Sequence, residues 1–292
     1  MKSKVYFIKD ITPENMVKMY EILGKKLPGK IAIKMHSGEQ GNRNYLRPEF
    51  VTPLVEHLNG TVVECNTAYE GARNYSDRHR KLIKDHNWDK YFPFDLMDEF
   101  EDKAIKVDHG FILKENYVGK NLFNYDSLLV VSHFKGHMMG GYGGALKQLS
   151  IGIASSRGKS LIHTAGYTGD QSKCWDNLPE QDRFLESMAD AASSVTKLFK
   201  DKAAYINVMT NISKDCDCDG NASLPCMKDI GILSSTDPVA IDQACLDLVY
   251  NSDDPGKDIL IERIESRHGV HTIECANKLG IGSRDYELIE IK

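Results

Sequence analysis

From Val5 onward, apolar runs of strand length alternate with amphipathic runs of helix length, and this rhythm limits the fold more than any other feature. "VYFI" reads as a strand, and "TPENMVKMYEIL" follows as a helix with Thr12 as N-cap and Pro13 in its first turn. Pro28-Gly29 breaks that helix, "KIAIKMH" returns as a strand, and "RPEFVTPLVEHL" reads as a second helix despite Pro53. Asn59-Gly60 turns the chain into a third strand, "TVVECN". A βαβαβ series of this kind predicts an α/β architecture: a mixed, partly parallel sheet flanked by helices.

The signal weakens between Ala68 and Lys120, which reads as loop-rich elaboration around one helix near Asp77 to His86. It resumes with the strand "SLLVVSH", a glycine-rich connection, and "ALKQLSIGIASS" as a helix. "SLIH" reads as another strand, ending at His163. Phe184, Met188, Ala191, Val195 and Leu198 then mark one face of a helix over 180–200. "AAYINVMTNI" and "DIGILSS" are strands, and Asp237-Pro238 caps the helix "VAIDQACLDLVY". The 292 residues suit one α/β domain, with a division into two lobes near residue 125 as a further expectation.

Several functional classes drop out on composition. A net charge of −5, with no concentrated basic face, gives no reason to expect nucleic-acid binding. No apolar run approaches the length of a signal-peptide core or a membrane span, so a cytoplasmic location without a membrane partner is expected. In that setting seven cysteines point to reduced thiols, free to pack, react or bind metal, rather than to a disulfide framework. No G-x-S-x-G elbow, H-E-x-x-H or paired carboxylate signature marks a hydrolase.

The chemistry concentrates in "ISKDCDCDGNASLPCMKDIG". Asp215, Asp217, Asp219 and Gly220 match four positions of an EF-hand loop, but Cys226 stands where a calcium site needs a bidentate glutamate, and the flanks read as strands. Cys216, Cys218 and Cys226 instead offer soft ligands that select zinc, copper(I) or an iron–sulfur cluster. In an extended backbone Cys216 and Cys218 would share one face, with the aspartates turned away. The spacing is not the C-x₂-C of a zinc ribbon or ferredoxin, and a polar loop with exposed thiols is the plain alternative.

A second constellation follows the strand "SLLVVSH". His133, Lys135 and His137 precede Gly140, Gly141, Gly143, Gly144 and Lys147 at the start of a helix, a pattern suited to an anionic ligand. It matches neither a Walker A loop nor G-x-G-x-x-G, and a solvated turn is the bland reading. His36, Glu39 and Arg43 lie in a third loop after a strand and are expected to face that constellation across a cleft. His133, His137 and His163 are candidate additional metal ligands.

Three blocks, "KMHSGEQGNRNYLRPEFV", "SHFKGHMMGGYGGALKQLSIGIASSRGK" and "CDCDGNASLPCMKDIGILSSTDPVAIDQACLDLV", together resemble the family called domain of unknown function 362, whose members are often labelled iron–sulfur centre proteins. The resemblance spans most of the chain. It carries Cys216, Cys218, His133, Lys135, His137, Gly143 and Gly144 over as family positions, whereas relatives need not have a cysteine at 226. Many relatives hold a ferredoxin-like insertion with two C-x₂-C-x₂-C-x₃-C runs; between Ser160 and Ala203 this chain has only Cys174. The resemblance therefore does not carry the iron–sulfur label onto this chain, and it names relatives more than a reaction. The expectation is a transition-metal site, zinc or iron–sulfur, beside a loop for a small anionic ligand. A redox or Lewis-acid enzyme, and a non-catalytic protein with a structural zinc that binds a phosphate-bearing ligand or partner, are the two forms it can take.

Overall fold

A computed structural model describes residues 2–292. In chain order its strands are β1 (Ser3–Ile8), β2 (Ile31–Lys34), β3 (Thr61–Glu64), β4 (Phe94–Leu96), β5 (Asp102–Lys106), β6 (Glu115–Gly119), β7 (Ser127–His133), β8 (Lys135–His137), β9 (Gly141–Gly143), β10 (Ala203–Met209), β11 (Gly231–Ser235) and β12 (Tyr286–Glu290). Eight of them form one sheet in the order β12-β1-β11-β10-β7-β2-β3-β4, while β5–β6 and β8–β9 are separate antiparallel hairpins. Every neighbouring pair in the large sheet is parallel except the two that involve β11. The fold is thus α/β, with a mixed and mostly parallel sheet; strands from both sides of residue 125 pair within it.

Helices cover both faces, which explains why the central strands are apolar throughout rather than alternating. Along β7, Leu128 and Val130 join a core with Ala192, Val195 and Ala244, whereas Leu129 and Val131 join the opposite core with Met16, Leu54 and Val55. Removing one such side chain costs about 2–5 kcal/mol in a core that cannot collapse around the gap. Local caps fix where the helices begin. Thr12 Oγ1 accepts from Asn15 N at 3.1 Å ahead of Pro13–Glu21. Asp237 accepts from Val239 N and Ala240 N, both at 2.9 Å, ahead of Pro238–Tyr250. Each cap is worth about 1 kcal/mol.

Three local expectations need correcting. "SLIH" is not a strand: it closes the helix Ser156–His163, which starts where Ser155 Oγ caps Gly158 N. Residues 145–156 are not one helix but a single turn at Ala145–Lys147, a wide turn at Gln148–Gly152, and then a fresh start. Residues 68–120 hold β4, β5 and β6 besides the helix Ser76–Asp85. The hairpin β5–β6 alternates charged and apolar residues with little burial in β5, so it gives a weak strand signature. Among the described residues no helix is long and apolar enough to cross a membrane.

Candidate functional site

The chain runs from β2 outward to β3 on one side, and from β7 outward to β10 on the other. The carboxyl ends of β2 and β7 therefore flank a point where the winding reverses, the place where open α/β sheets bind ligands. The loops after β2, β3, β7 and β10 all meet there. Glu39 N donates to Asp217 O at 2.8 Å, and Asn42 Nδ2 donates to Asp219 O at 2.8 Å, so the loop after β2 clamps the C-D-C loop.

The C-D-C run is a turn rather than an extended segment: Asp219 N donates to Cys216 O at 3.0 Å, and Cys218 N donates to Cys216 Sγ at 3.4 Å. The two thiols still converge, but Asp217 does not turn away to solvent. It is fully buried and takes His133 Nδ1 at 2.9 Å and Lys135 Nζ at 2.7 Å. Burial alone would raise its carboxyl; His133 and Lys135 override that and hold it well below the usual range. Burial works against Lys135 as well, and Asp217 keeps its ammonium above the ordinary value.

His137, Cys216 and Cys218 place their donor atoms within 4.8 Å of one another, forming a group that can hold a metal ion. Burial opposes the Cys216 thiolate, but a hydrogen bond from Cys218 and the charges of Lys147, His137 and Lys135 outweigh it and hold that thiol well below its ordinary value. Lys147 Nζ lies 3.5 Å from the Cys216 sulfur. Cys218 goes the other way, raised first by its bond to Cys216 and then by burial. The pair is therefore unequal, with Cys216 the more acidic sulfur. His137 Nδ1 accepts Gly140 N at 2.9 Å and Met139 N at 3.2 Å, so a neutral ring carries its proton on Nε2, the atom 4.0 Å from Cys218 Sγ. His137 is therefore arranged to donate towards sulfur.

The other predicted ligands stand apart from this group. His133 has both ring nitrogens occupied, by Asp217 and by Thr210 O at 2.6 Å, and neither joins the donor group. Cys226 is half-buried with its thiol on Ile212 O at 3.4 Å. His163 Nδ1 binds Lys159 O at 2.7 Å, and its ring stacks on Phe184; burial pushes it down to about 4. It lines the cleft without joining the donor group.

The glycine-rich turn is not an open anion cradle. Gly140 and Gly141 lie at the tip of the hairpin β8–β9, and Ala145 N and Leu146 N, the helix start beyond it, already bind the buried Asp242 carboxylate at 2.8 and 2.9 Å. The glycines permit close packing instead: a Cβ on Gly144 would meet Asp242 Oδ1 at 2.5 Å, and one on Gly141 would meet Gly269 Cα at 2.8 Å. Gly143 abuts Lys135 and Lys147, and Lys135 is committed to Asp217. Glu39 is buried and paired with Arg73 at 3.2 Å. His36 is half-buried and accepts Gly38 N at 3.0 Å, while Arg43 is exposed and lines neither cavity described below.

Sequence reasoning missed the cationic wall. Behind Cys218 a cavity of about 60 Å³ is lined by Lys34, Glu64, Lys147, Gln148 and Lys159, and it adjoins an open cleft of about 690 Å³ lined by Glu39, Tyr69, His137, His163, Trp175 and Cys218. Lys34 and Lys159 donate to the main-chain carbonyls of Met35 and Ala154, and Lys147 donates to sulfur. None of these three lysines pairs with a carboxylate among the described residues. Burial lowers Lys34 to about 8 and Lys159 in the same direction. Glu64, by contrast, is spoken for by Arg73 at 2.8 Å and His79 at 3.4 Å. The available signal was a charged residue closing an apolar strand, as in "IAIK" and "TVVE".

Comparison with known proteins gives one family match: the family described as "Domain of unknown function (DUF362)", over residues 31–247. No curated protein matches. Among solved structures, the lactate racemase apoprotein from Thermoanaerobacterium thermosaccharolyticum is similar at 14% identity and a TM-score of 0.48, covering 85% of this chain and 58% of that one. A Thermotoga maritima protein solved by a structural genomics consortium is similar at 12% identity and a TM-score of 0.44, covering 91% and 58%. The chain therefore spans a little over half the length of each.

Proposed function

This chain belongs to the DUF362 family, and from that premise we propose that it is an enzyme acting on a small anionic substrate, with a soft divalent metal held on Cys216 and Cys218. The carrying observation is the convergence of His137, Cys216 and Cys218, of which His137 and Cys218 line both the open cleft and the small cavity behind it, with Lys34, Lys147 and Lys159 on that cavity's wall and in no ion pair among the described residues. The donor chemistry fits a thiophilic ion: two sulfurs lie together, and neighbouring cations hold one of the thiols well below its ordinary value. It fits an iron–sulfur cluster poorly, because only two cysteines lie in the group and clusters are held by four ligands. It also fits a structural zinc poorly, because such sites are closed by four ligands and here Cys218 and His137 line an open cleft.

A metal bound there supplies Lewis-acid polarisation of a carbonyl or phosphoryl oxygen. The protein supplies the rest. Buried Lys34 and Lys159 and half-buried Lys147 offer ammonium groups to a carboxylate or phosphate, and burial strengthens the first two contacts. His137 Nε2–H and Lys147 donate towards sulfur and drain charge from it. Arg73, locked between Glu39 and Glu64, and Tyr69, which donates to Glu39 at 3.1 Å, brace the wall.

One observation favours a second reading. The Nε2–H of His137 suits a metal-free site in which the Cys216 thiolate is itself the nucleophile or base. Elemental analysis of the wild type beside Cys216→Ser/Cys218→Ser separates the two. Loss of about one zinc equivalent in the variant supports the metal reading. Equal metal in both proteins, with iodoacetamide reactivity near neutral pH lost in the variant, supports the metal-free one. Iron with sulfide absorption would overturn both. The anionic substrate is tested by thermal shift with a panel of mono- and dicarboxylates and phosphate esters.

A further inference from the structure

A second group of ligand-type side chains lies away from the cleft, between the helices Gln181–Phe199 and Val270–Lys278. Glu186 comes from the first helix; His271 and Cys275, four residues apart, share one face of the second. Their donor atoms all lie within 4.8 Å of one another. His271 Nε2 stands 3.5 Å from Cys275 Sγ and 3.6 Å from Glu186 Oε1.

These separations are informative. A neutral hydrogen bond or a charged one would bring the Glu186 oxygen and the ring nitrogen to about 2.7–3.2 Å, and 3.6 Å is outside that range. A tetrahedral zinc, with bonds of about 2.0–2.1 Å to nitrogen, 2.3 Å to sulfur and 2.0–2.2 Å to oxygen, sets its ligands about 3.5 Å apart for nitrogen and sulfur and about 3.3 Å for nitrogen and oxygen. Both observed spacings sit close to the edges of such a tetrahedron. His271 Nδ1 faces Glu274 Oε2 at 3.6 Å, also beyond hydrogen-bond range, and Arg284 holds Glu274 at 3.3 Å. A cavity of about 390 Å³, lined by His271, Glu274, His268 and Asp182, opens the His271 side of the group to solvent, while Glu186 and Cys275 lie outside its lining.

We propose that Glu186, His271 and Cys275 form a second divalent-metal site, selective for zinc-like ions and independent of the cleft. Its place is a clasp between two packed helices. The reading stands whether or not the cleft holds a metal.

The test removes the cleft cysteines first. The full chain carrying Cys216→Ser/Cys218→Ser is titrated with Co²⁺ under reducing, anaerobic conditions, following the thiolate-to-cobalt charge-transfer band and the visible bands of tetrahedral cobalt. One saturating equivalent is expected, competed by Zn²⁺. Adding Cys275→Ser should abolish the charge-transfer band. Because Cys275 is buried, His271→Ala at the half-open face provides a second variant that leaves the core intact; it should weaken Co²⁺ binding more than tenfold. No tetrahedral cobalt signal in the cleft-cysteine background, or a signal that survives both Cys275→Ser and His271→Ala in folded protein, would overturn the proposal.

Discussion

Asp217 and Asp242 are both fully buried carboxylates, and they are answered by opposite chemistry. Asp217, in the C-D-C loop, meets an ammonium and an imidazole. Asp242, beneath the glycine-rich turn, meets only neutral donors: Ala145 N, Leu146 N, Asn207 Nδ2 at 2.7 Å and Tyr142 Oη at 3.2 Å. The first is held well below the usual carboxylate range, whereas burial, outweighing those donors, pushes the second up to about 6. A carboxylate answered by charges belongs to a site whose electrostatics can change with a ligand. One answered by dipoles is a pin that fixes two segments of backbone. The comparison separates the working loop from the scaffold, although the sequence makes the glycine-rich turn look like the functional element of the two.

Asp217→Ala breaks this contrast most severely, because it strands Lys135 and His133 without their partner in a dry interior. A loss of about 3–5 kcal/mol is expected in urea unfolding. Asp217→Leu/Lys135→Met, which removes both charges, should recover most of it, and a double-mutant cycle measures the coupling. If the single and double variants are equally unstable, the ion pair is not what holds the loop.

The two aspartates should also give opposite pH slopes. Asp217 is depressed in the fold, so its stabilisation is present above about pH 4 and is lost as pH falls further. Asp242 is raised from 3.8 to about 6, so between those values the folded state binds more protons than the unfolded one, and stability falls as pH rises. The difference corresponds to about 3 kcal/mol. Asp242→Asn should flatten the stability profile between pH 4 and pH 6 and leave the acid limb alone; an unchanged slope in that window would contradict the assignment.

What the sequence disclosed follows from the same physics. The alternation of apolar strands with amphipathic helices is a property of local runs, so β1, β2, β3, β7, β10 and β11 were legible, as was the convergence of Cys216 with Cys218. Pairing is not local. Nothing in "HFKGH" says that Lys135 and His133 will spend themselves on Asp217, more than eighty residues away in sequence at separations of 82 and 84. Nothing in "GGYGGALK" says that Asp242 will take the free N–H groups at the helix start. Lys34 and Glu64 were visible only as charges closing apolar strands, and burial turned them into a wall of the site.

The glycines sharpen the contrast at smaller scale. Gly144 has an ordinary extended backbone, so its need for glycine is spatial: a Cβ would press on Asp242. Gly144→Ala should cost about 1–3 kcal/mol by overpacking. At Gly143 the nearest atom to a new Cβ is Lys147 Cδ at 3.4 Å, the middle of a flexible side chain, so Gly143→Ala should leave stability within about 0.5 kcal/mol. Neither should change the selectivity of anion binding beyond what altered stability explains. Thermal shift with and without a dicarboxylate measures both quantities, and loss of binding in stable Gly143→Ala would restore the turn as an anion cradle.

The last expected effect is on affinity rather than stability and lies in the cationic wall, whose lysines form no ion pair among the described residues. An ammonium binds an anion only while protonated, and burial has brought Lys34 down to about 8. Anion affinity should therefore hold at pH 7 and decline through pH 8 to 9, well before an ordinary lysine near 10.4 would lose its proton. Lys34→Met should weaken binding about tenfold at pH 7, near 1.4 kcal/mol, and remove that decline. Lys34→Arg should also abolish the decline, since guanidinium keeps its charge across the range. Isothermal titration at a series of pH values reads both consequences. A decline of equal size in Lys34→Arg and the wild type would assign the titration to a different group, and the contrast between a charge-answered site and a dipole-answered scaffold would then have to be drawn without Lys34.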